Sequence, residues 1–515
     1  MIGKTSAALA VQAPGLWSRV SAWFSPSAPV AQLPAPTGQK RSYDGAKSSR
    51  LNADWYAPGT GANTENQGAL LPLRNRSRDL VRNNPYAAKG IASMVHNIVG
   101  QGILPTCTHE NPEVRKKVNQ LFSLWATQCS VADDLTFAGL QSLAVRSWLE
   151  SGEVLLRRRW RRPEDGLAVP MQVQILESDF LNSSQNQILP TGGRIVQGVE
   201  FDPIDRRAAY WLWQTHPGDF MLGQFFKVGV SRVEAKDIAH IFEPLRPGQV
   251  RGVPWVSPVI NTLRHLDRYD EAERIRKRTE ACIAGFVTPG DEATYSDATD
   301  GISDAGAYDS DGNVLDTIEP GMIAVLRNGK SITFPTPGQN STYPEYQRVQ
   351  LRAVAAGMRQ PYELLTGDLS QVNYSSYRAG WIDFKRQVNM LQEQIVIPLA
   401  CAPVWRWFIE AAIAGGELPV GDYPVTWTPP KFEEIDPLKA SEASASRVRN
   451  GLASQQDEIK AAGDNPDDVL AETVAWLEAC DKAGVSFDSD PRKPAGGGAP
   501  MVPSANSDAP IVPPA

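Results

Sequence analysis

The hydrophobic period changes twice along this chain, and that pattern decides its fold class. Before Gly152 the apolar residues recur every three or four positions. Between Glu153 and Glu243 they alternate. From Val256 the helical spacing returns. The pattern excludes an all-α or all-β chain and predicts an α+β protein with a mostly β insertion on a helical base. The strand candidates are EVLLRRRW, MQVQILES, RIVQGVEFD, RAAYWLWQTH and DIAHIFEP, each bounded by Pro, Gly or Asp. Residues 157–162 are mostly arginine. They read as an exposed strand end before the turn at Pro163, with a phosphate patch as the alternative.

The helical parts have clear punctuation. In SRDLVRNNPYAAKGIASMVHNIVGQGILP, Leu80, Ala87, Ile91, Met94, Val95, Ile98 and Val99 share a face. Pro85 opens a helix that Gly100, Gly102 and Pro105 stop. A helix over 114–126 follows, then one from a Thr136 cap to Gly152. The longest clean pattern is 256–283, with Val256, Val259, Ile260, Leu263, Leu266, Tyr269, Ala272 and Ile275 as its stripe. The other face carries both signs of charge. At about 1.5 Å per residue this helix would span about 42 Å, exposed along much of its length or lining something wet. A second helix is expected over 343–365, with Ala353, Ala355, Ala356 and Gly357 allowing close approach and Pro361 ending it. A polar loop and a third helix over 377–414 follow. Residues 438–482 read as a small helical domain.

The 515 residues suggest roughly three domains' worth of chain. With 42% hydrophobic residues a sizeable core is possible. The net charge of −7 argues against a simple basic coat for nucleic acid, although DNA could still slide past. The five cysteines are far apart and form no CxxC pair, so neither a disulfide framework nor a zinc site is indicated. The longest apolar run, 395–405, is too short for a membrane span and contains Pro398 and Pro403. Residues 1–45 and 483–515 are rich in Ala, Pro, Ser or Gly and read as a flexible arm and a disordered tail. Within the arm Leu16, Trp17, Val20, Trp23 and Phe24 would form one stripe, expected to dock on a partner or a neighbouring subunit.

The sequence lacks the familiar catalytic motifs. The GKS at Gly329, Lys330 and Ser331 has Ala324 where a phosphate loop needs glycine. Asn328 and Gly329 instead suit a hairpin turn. Asp309, Asp311 and Asn313 resemble the start of a calcium loop, but Val314 and Pro320 occupy its obligatory positions. The five histidines show no HExxH spacing. No catalytic, cofactor-binding or metal residues are indicated. A metal-dependent DNA-processing enzyme using the carboxylates between Asp291 and Asp311 stays open as a rival reading.

The order of segments resembles the portal proteins of tailed bacteriophages, specifically the lambda-type branch. The resemblance rests on SRDLVRNNPYAAKGIASMVHNIVGQGILP, on LAVRSWLESGEVLLRRR through MQVQILESDFL to IVQGVEFDPIDRRAAYWLWQTHPGD, and on HIFEPLRPGQVRGVPWVSPVINTLRHLDRYDEAE. Further on it rests on IEPGMIAVLRNGKSITFPTP and MRQPYELLTGDLSQVNYSSYRAGWIDF. It implies a portal fold with wing, two-helix stem, β-containing clip and helical crown, and a non-enzymatic channel for packaging and ejecting double-stranded DNA, with no cofactor. The implied wing is 46–255 plus 377–436, the stem 256–283 returning through 341–366, the clip 284–340, the tunnel loop 367–376 and the crown 437–482. The implied residues are Asp368, Ser370, Gln371, Asn373, Tyr374 and Ser375 in the tunnel loop. On the stem they are Arg264, Arg268, Glu271, Arg274, Lys277 and Arg278. Asp309, Asp311, Asn328, Gly329 and Lys330 would dock partners at the clip, and Trp17, Trp23 and Phe24 at the N-terminus. The implied partners are a ring of usually twelve copies, the large terminase subunit, the head–tail adaptor or completion protein, the major capsid and scaffold proteins, and DNA in transit, with no membrane. The implied location is the portal vertex of the virion, reached from the host cytoplasm during assembly. Another head–tail connector ring protein stays open as a rival reading.

Overall fold

A computed structural model describes residues 50, 54, 56–132, 134–219, 229–282, 286–288, 307–308, 314–315, 331–333, 342–430, 432, 436–462, 466–485, 487, 490 and 492. Residues 1–60 cluster separately from 61–515, and the fold below is that of the larger unit. Trp17, Trp23, Phe24, Asp309, Asp311, Asn328, Gly329 and Lys330 lie outside the described residues, as does most of the tail.

Four helices build the base: α1 (Ala62–Asn83), α2 (Pro85–Ile98), α3 (Pro112–Ala126) and α4 (Phe137–Ser151). The caps explain their ends. Asn84 ends α1, and its side chain accepts from Ala87 N at 2.9 Å, with Pro85 at the first helical position. Asn111 and Pro112 repeat the device at α3. Thr136 caps α4 as expected, and Gly152 ends it at φ +90°. The helical segment read from the sequence begins at Ser77, yet α1 starts at Ala62. Its first turns carry Gly68 and Pro72 and bury only Ala62 and Leu70, so no stripe marks them.

Between Leu104–Cys107 (β1) and Val425–Thr428 (β14) an antiparallel pair ties this base to the late chain. The central sheet has the order β3-β2-β9, from β2 (Glu153–Trp160), β3 (Met171–Glu177) and β9 (Ile238–Phe242). Alternation gives it two faces. Val154, Leu156, Val173 and Ile241 join the main core, while Leu155, Leu176 and Ile238 join a second cluster. That cluster lies under a five-stranded meander of β4 (Gln187–Ile188), β5 (Arg194–Val196), β6 (Val199–Phe201), β7 (Arg207–Trp213) and β8 (Val230–Glu234). The expected single strand RIVQGVEFD is in fact the hairpin β5–β6. Gln197 and Gly198 both have positive φ, 49° and 86°, the backbone of a tight two-residue turn. Among residues 157–162, Arg158 is buried between Asp237 and Glu410, and Arg161 bonds Gln172, so much of the suspected phosphate patch is structural.

The late chain supplies α5 (Ile260–Cys282), short paired strands β10 (Phe286–Thr288) with β13 (Ser331–Thr333) and β11 (Ala307–Tyr308) with β12 (Val314–Leu315), α6 (Tyr343–Gly357), α7 (Tyr362–Thr366) and α8 (Tyr374–Leu391). From α8 the chain runs through a π-helical segment, Gln392–Cys401, into α9 (Ala402–Ala414). The wider turn falls where Pro398 cannot donate a backbone hydrogen bond. The stretch Ser376–Ala414 is long and apolar enough to cross a membrane, but most of its apolar window is buried. It is a core helix: Val388, Leu391, Val396, Val404, Trp407 and Phe408 pack in the main cluster with Phe122 and Trp125. Burial pushes the Cys129 and Cys401 thiols up to about 12, so both remain neutral.

The place where the chain leaves the base for the β insertion is also where it comes back. Glu153, the first residue of β2, is fully buried. Its carboxylate accepts from Arg251 Nε at 2.8 and 2.9 Å, from His240 Nε2 at 3.0 Å, from Gly252 N at 3.0 Å and from Arg74 Nη2 at 3.3 Å. Gly152 and Gly252 touch here, because a Cβ on Gly252 would fall on the carbonyl of Gly152. Burial alone would raise the Glu153 pKa. The Arg251 guanidinium and the His240 hydrogen bond reverse this and hold it well below the usual carboxylate range.

Burial lowers His240 to about 4 and keeps the imidazole neutral. An unfolded histidine takes a proton near pH 6.5, so this residue costs no stability above that pH and costs progressively more down to about pH 4. The expected slope approaches about 1.4 kcal/mol per pH unit for one proton. Urea midpoints measured between pH 7.5 and 5 should fall, and His240→Gln should flatten the fall. An unchanged slope in His240→Gln would refute this assignment.

Candidate functional site: a tethered helix pair and a polar loop

α5 begins inside the core. Val256, Val259, Ile260, Leu263 and Leu266 are buried as the stripe predicted. Beyond Leu266 the stripe ends. Ile275 sits nine residues further on, and at about 100° per residue that is half a turn round. It is 55% exposed. Ala272 is exposed too, while Glu273 is buried and paired with Arg276. Arg264, Arg268, Glu271, Ile275 and Arg278 follow one another at four- and three-residue steps and form a single exposed ridge. Arg274 and Lys277 flank it, exposed, and Arg274 Nε donates to the Asp270 carbonyl at 3.1 Å.

α6 runs beside α5. Tyr269 stacks with Tyr343 at 5.9 Å and meets Tyr346 at 4.7 Å. Tyr343 Oη donates to Asp270 Oδ1 at 3.0 Å, and Gln347 Nε2 lies 3.4 Å from Asp270 Oδ2. Burial, then the bond to Asp270, pushes the Tyr343 hydroxyl up to about 12. Gly357 allows the close approach of α6 to Val259, as the small-residue pattern suggested. Ala355 is buried, but Ala353 and Ala356 face outward. Asn84, the cap of α2, donates to Asp267 Oδ1 at 2.7 Å and ties the pair to the base.

The expected helix over 343–365 breaks after Gly357. Arg359 takes a left-handed φ of 54°, unusual for a residue with a Cβ. Its side chain explains the position: the guanidinium lies 4.4 Å from the centre of the Trp255 ring and bonds Glu243 at 2.9 Å. α7 then ends at Gly367, φ +78°.

The polar loop is shorter than expected. α8 starts at Tyr374, so Tyr374 and Ser375 belong to its first turn, and the loop is 367–373. Two of its polar residues hold local structure. Asp368 Oδ1 accepts from Ser370 N at 3.0 Å, and Asn373 caps α8 by accepting from Ser376 N at 2.9 Å. The hydrogen bond from Ser370 keeps the Asp368 pKa below its ordinary value. Leu369, Ser370 and Gln371 point outward and are exposed.

A model of the family described as phage portal protein, lambda family, matches residues 48–392, well over half of the chain. The chain belongs to the lambda family of phage portal proteins. It is 27% identical to the probable portal protein of Halomonas phage phiHAP-1 over 470 residues, covering 86% of this chain and 87% of that protein. It is 22% identical to portal protein B of Escherichia phage lambda over 498 residues, covering 84% and 90%. A chain in the neck of an empty gene transfer agent particle aligns at a TM-score of 0.45 and 14% identity, over 76% of this chain and 94% of that one. The family carries the α+β portal fold and the portal's role as the channel for the phage genome, and it is a structural family.

One cluster outside the helix pair has the residue types of a metal site: Glu177, Asp179 and His216. Arg78 already occupies it, at 2.7 Å from Glu177 and 2.6 Å from Asp179, and Arg74 lies 3.2 Å from Asp179. Burial would raise the Asp179 pKa, and the two guanidinium groups lower it. A cation would have to displace Arg78 beside Arg74, so the cluster is an ion-pair node. Sequence reasoning missed Asn84, Asp267 and Asp270, which look like ordinary surface residues until the fold pairs them.

Asn84→Ala removes both the α2 cap and the bond to Asp267, and should cost about 2 kcal/mol of stability. Asn84→Asp restores the cap but sets a carboxylate against Asp267, and should not recover that loss at neutral pH. Denaturant unfolding of the three proteins checks this. Full recovery in Asn84→Asp would mean the Asp267 bond contributes nothing.

Proposed function

We propose that copies of this chain close into a ring of twelve and that α5 and α6 line its bore as the stem. Residues 46–255 with the α8–α9 region form the wing, 284–340 the clip and 437–482 the crown. Double-stranded DNA passes through, and loop 367–373 is the narrowest collar. The clip takes the large terminase subunit and later the head–tail adaptor. The wing and the N-terminal stripe of Trp17, Trp23 and Phe24 meet the major capsid and scaffold proteins. Assembly takes place in the host cytoplasm, and the finished ring sits at the portal vertex of the virion. The chain conducts DNA without hydrolysing nucleotide, and the separate terminase drives its movement.

The observation that carries this reading is the tethered pair α5–α6, which leaves the core with a charged ridge turned outward. α5 as a whole has six basic and five acidic side chains. Three of those acids are engaged, Asp267 with Asn84, Asp270 with Tyr343 and Glu273 with Arg276, so the outward ridge is mainly basic and would attract passing phosphates by counterion release. Ser370 and Gln371 offer neutral hydrogen-bonding groups at the collar.

Asn373 caps a helix, so the variant that tests the collar leaves it alone. Ser370→Lys with Gln371→Lys adds about 24 charges to a twelve-fold ring, and each phosphate neutralised steepens the salt dependence by about one log unit. Rings should still assemble, while packaging slows and DNA is retained at low salt. Packaging and ejection at the parental rate would make the loop an outer connector.

A further inference from the structure

Three arginines at the end of β2 share one face of the sheet, and among the described residues no acid is bonded to any of them. β2 and the turn after it carry Arg157, Arg158, Arg159, Arg161 and Arg162. Alternation sorts the strand residues between two faces. Arg158 points to the main core, where Asp237 and Glu410 hold it. Arg157 and Arg159 point the other way and follow Leu155 of the second cluster on the same face. Arg161 joins that face, because its Nε bonds Gln172, the cross-strand partner of Arg159, at 2.7 Å.

All three are half-buried. Among the described residues the side chains of Arg157 and Arg159 make no hydrogen bond or ion pair, and that of Arg161 makes only the bond to Gln172. Asp237, the acid that acts on Arg157, is bonded to Arg158 at 2.6 Å. Burial lowers the Arg157 pKa, Arg159 beside it lowers it further, and Asp237 offsets only part of this. Like charges crowded together and half out of water oppose folding. Gln174, opposite Arg157, is half-buried too, and its amide has no partner among the described residues. The sheet thus maintains a polar site that one copy of the chain leaves incomplete. A solvated strand end would turn its charges apart and into water.

Spacing and chemistry indicate what completes it. At about 3.4 Å per residue the row from Arg157 to Arg161 is about 14 Å long. One strand of a DNA duplex carries a phosphate per about 3.4 Å of axis, so several come within reach of the row. A guanidinium fork matches the two free oxygens of a phosphodiester. The row holds only guanidinium and amide groups, which suits a backbone rather than a base sequence. The chain as a whole carries a charge of −7, so attraction of a polyanion has to come from a local concentration such as this one. We propose that Arg157, Arg159, Arg161 and Gln174 bind the phosphate backbone of double-stranded DNA on the β insertion, at a site separate from the α5–α6 pair. The site belongs to a single chain and does not depend on ring closure.

Relaxed circular duplex tests this on the full-length protein, because a closed circle cannot thread a ring. Binding is measured across salt for the parent, for Arg159→Gln, for Arg157→Gln with Arg159→Gln, and for Arg157→Lys with Arg159→Lys. Each phosphate neutralised contributes about 0.9 to the slope of log affinity against log salt, so Arg159→Gln should lower the slope by about one and the Gln pair by about two, with about a tenfold or greater loss of affinity for the pair at low salt. The Lys pair should keep the slope. Arg159 has no bond to lose, so Arg159→Gln should melt no lower than the parent in the absence of DNA, and it decides the matter even if the pair does not fold. A merely structural arginine would do the reverse, lowering the melting temperature and leaving the slope alone. Inorganic phosphate and polyglutamate serve as competitors, and neither should displace the circle at equal anionic charge. Displacement by phosphate would make this a free-phosphate site, and displacement by polyglutamate a site for an acidic protein; either overturns the DNA assignment. Parent that does not bind the circle, or variants that keep the parental slope and affinity, overturn the site.

Discussion

A buried carboxylate organises this molecule. Glu153 stands where α4 becomes β2, and it is met by residues from everything that converges there: Arg74 from α1, His240 from β9, and Arg251 and Gly252 from the returning chain. Removing one partner of such a set leaves a buried charge uncompensated, which costs about 3–5 kcal/mol. The ion pairs alone are not the main source of stability, since an apolar junction could be as stable. What the set supplies is specificity. It fixes where the β insertion leaves the base and where it returns, and only a few residues later the chain enters α5. Trp255 continues the junction, bonding its Nε1 to the Met358 carbonyl at 2.7 Å while Arg359 covers its ring. The direction of the stem-like pair thus follows from a charge buried at its root.

The distribution of packing separates a finished part from an unfinished one. The base and insertion bury tryptophans at 125, 148 and 407, and the indole nitrogens of Trp125 and Trp407 donate to the Met171 and Lys236 carbonyls. α5 loses its apolar face after Leu266, and the crown never acquires one within a single copy. A monomeric enzyme usually closes its core around a pocket. This chain instead closes its core in the base and insertion and leaves charged or uncovered helices outside it, which suits a subunit of a larger assembly.

Much of this was legible in the sequence. The change of period placed the β insertion, Thr136 and Pro85 marked helix starts, and the segment order named the family. The failures have specific causes. α1 began early because Gly68 and Pro72 masked its pattern. The hairpin at Gln197 and Gly198 was missed because QG is a weaker turn signal than NG. The stripe of α5 was carried to Ile275 because periodicity shows which residues share a face and not how far a partner extends along it. The polar loop looked longer because Tyr374 and Ser375 are poor helix formers, and only the Asn373 cap shows that they are already helical. The Asn84–Asp267 and Tyr343–Asp270 bonds join residues far apart in sequence, and no local pattern could show them.

If this chain is one subunit of a closed channel, copies of it should close on themselves. Electron microscopy of the purified full-length protein tests it most directly. Closed rings with twelve-fold averages and a central hole wide enough for a DNA duplex are the expected result. Monomers, two-fold dimers or open filaments at every concentration and salt tried would contradict it.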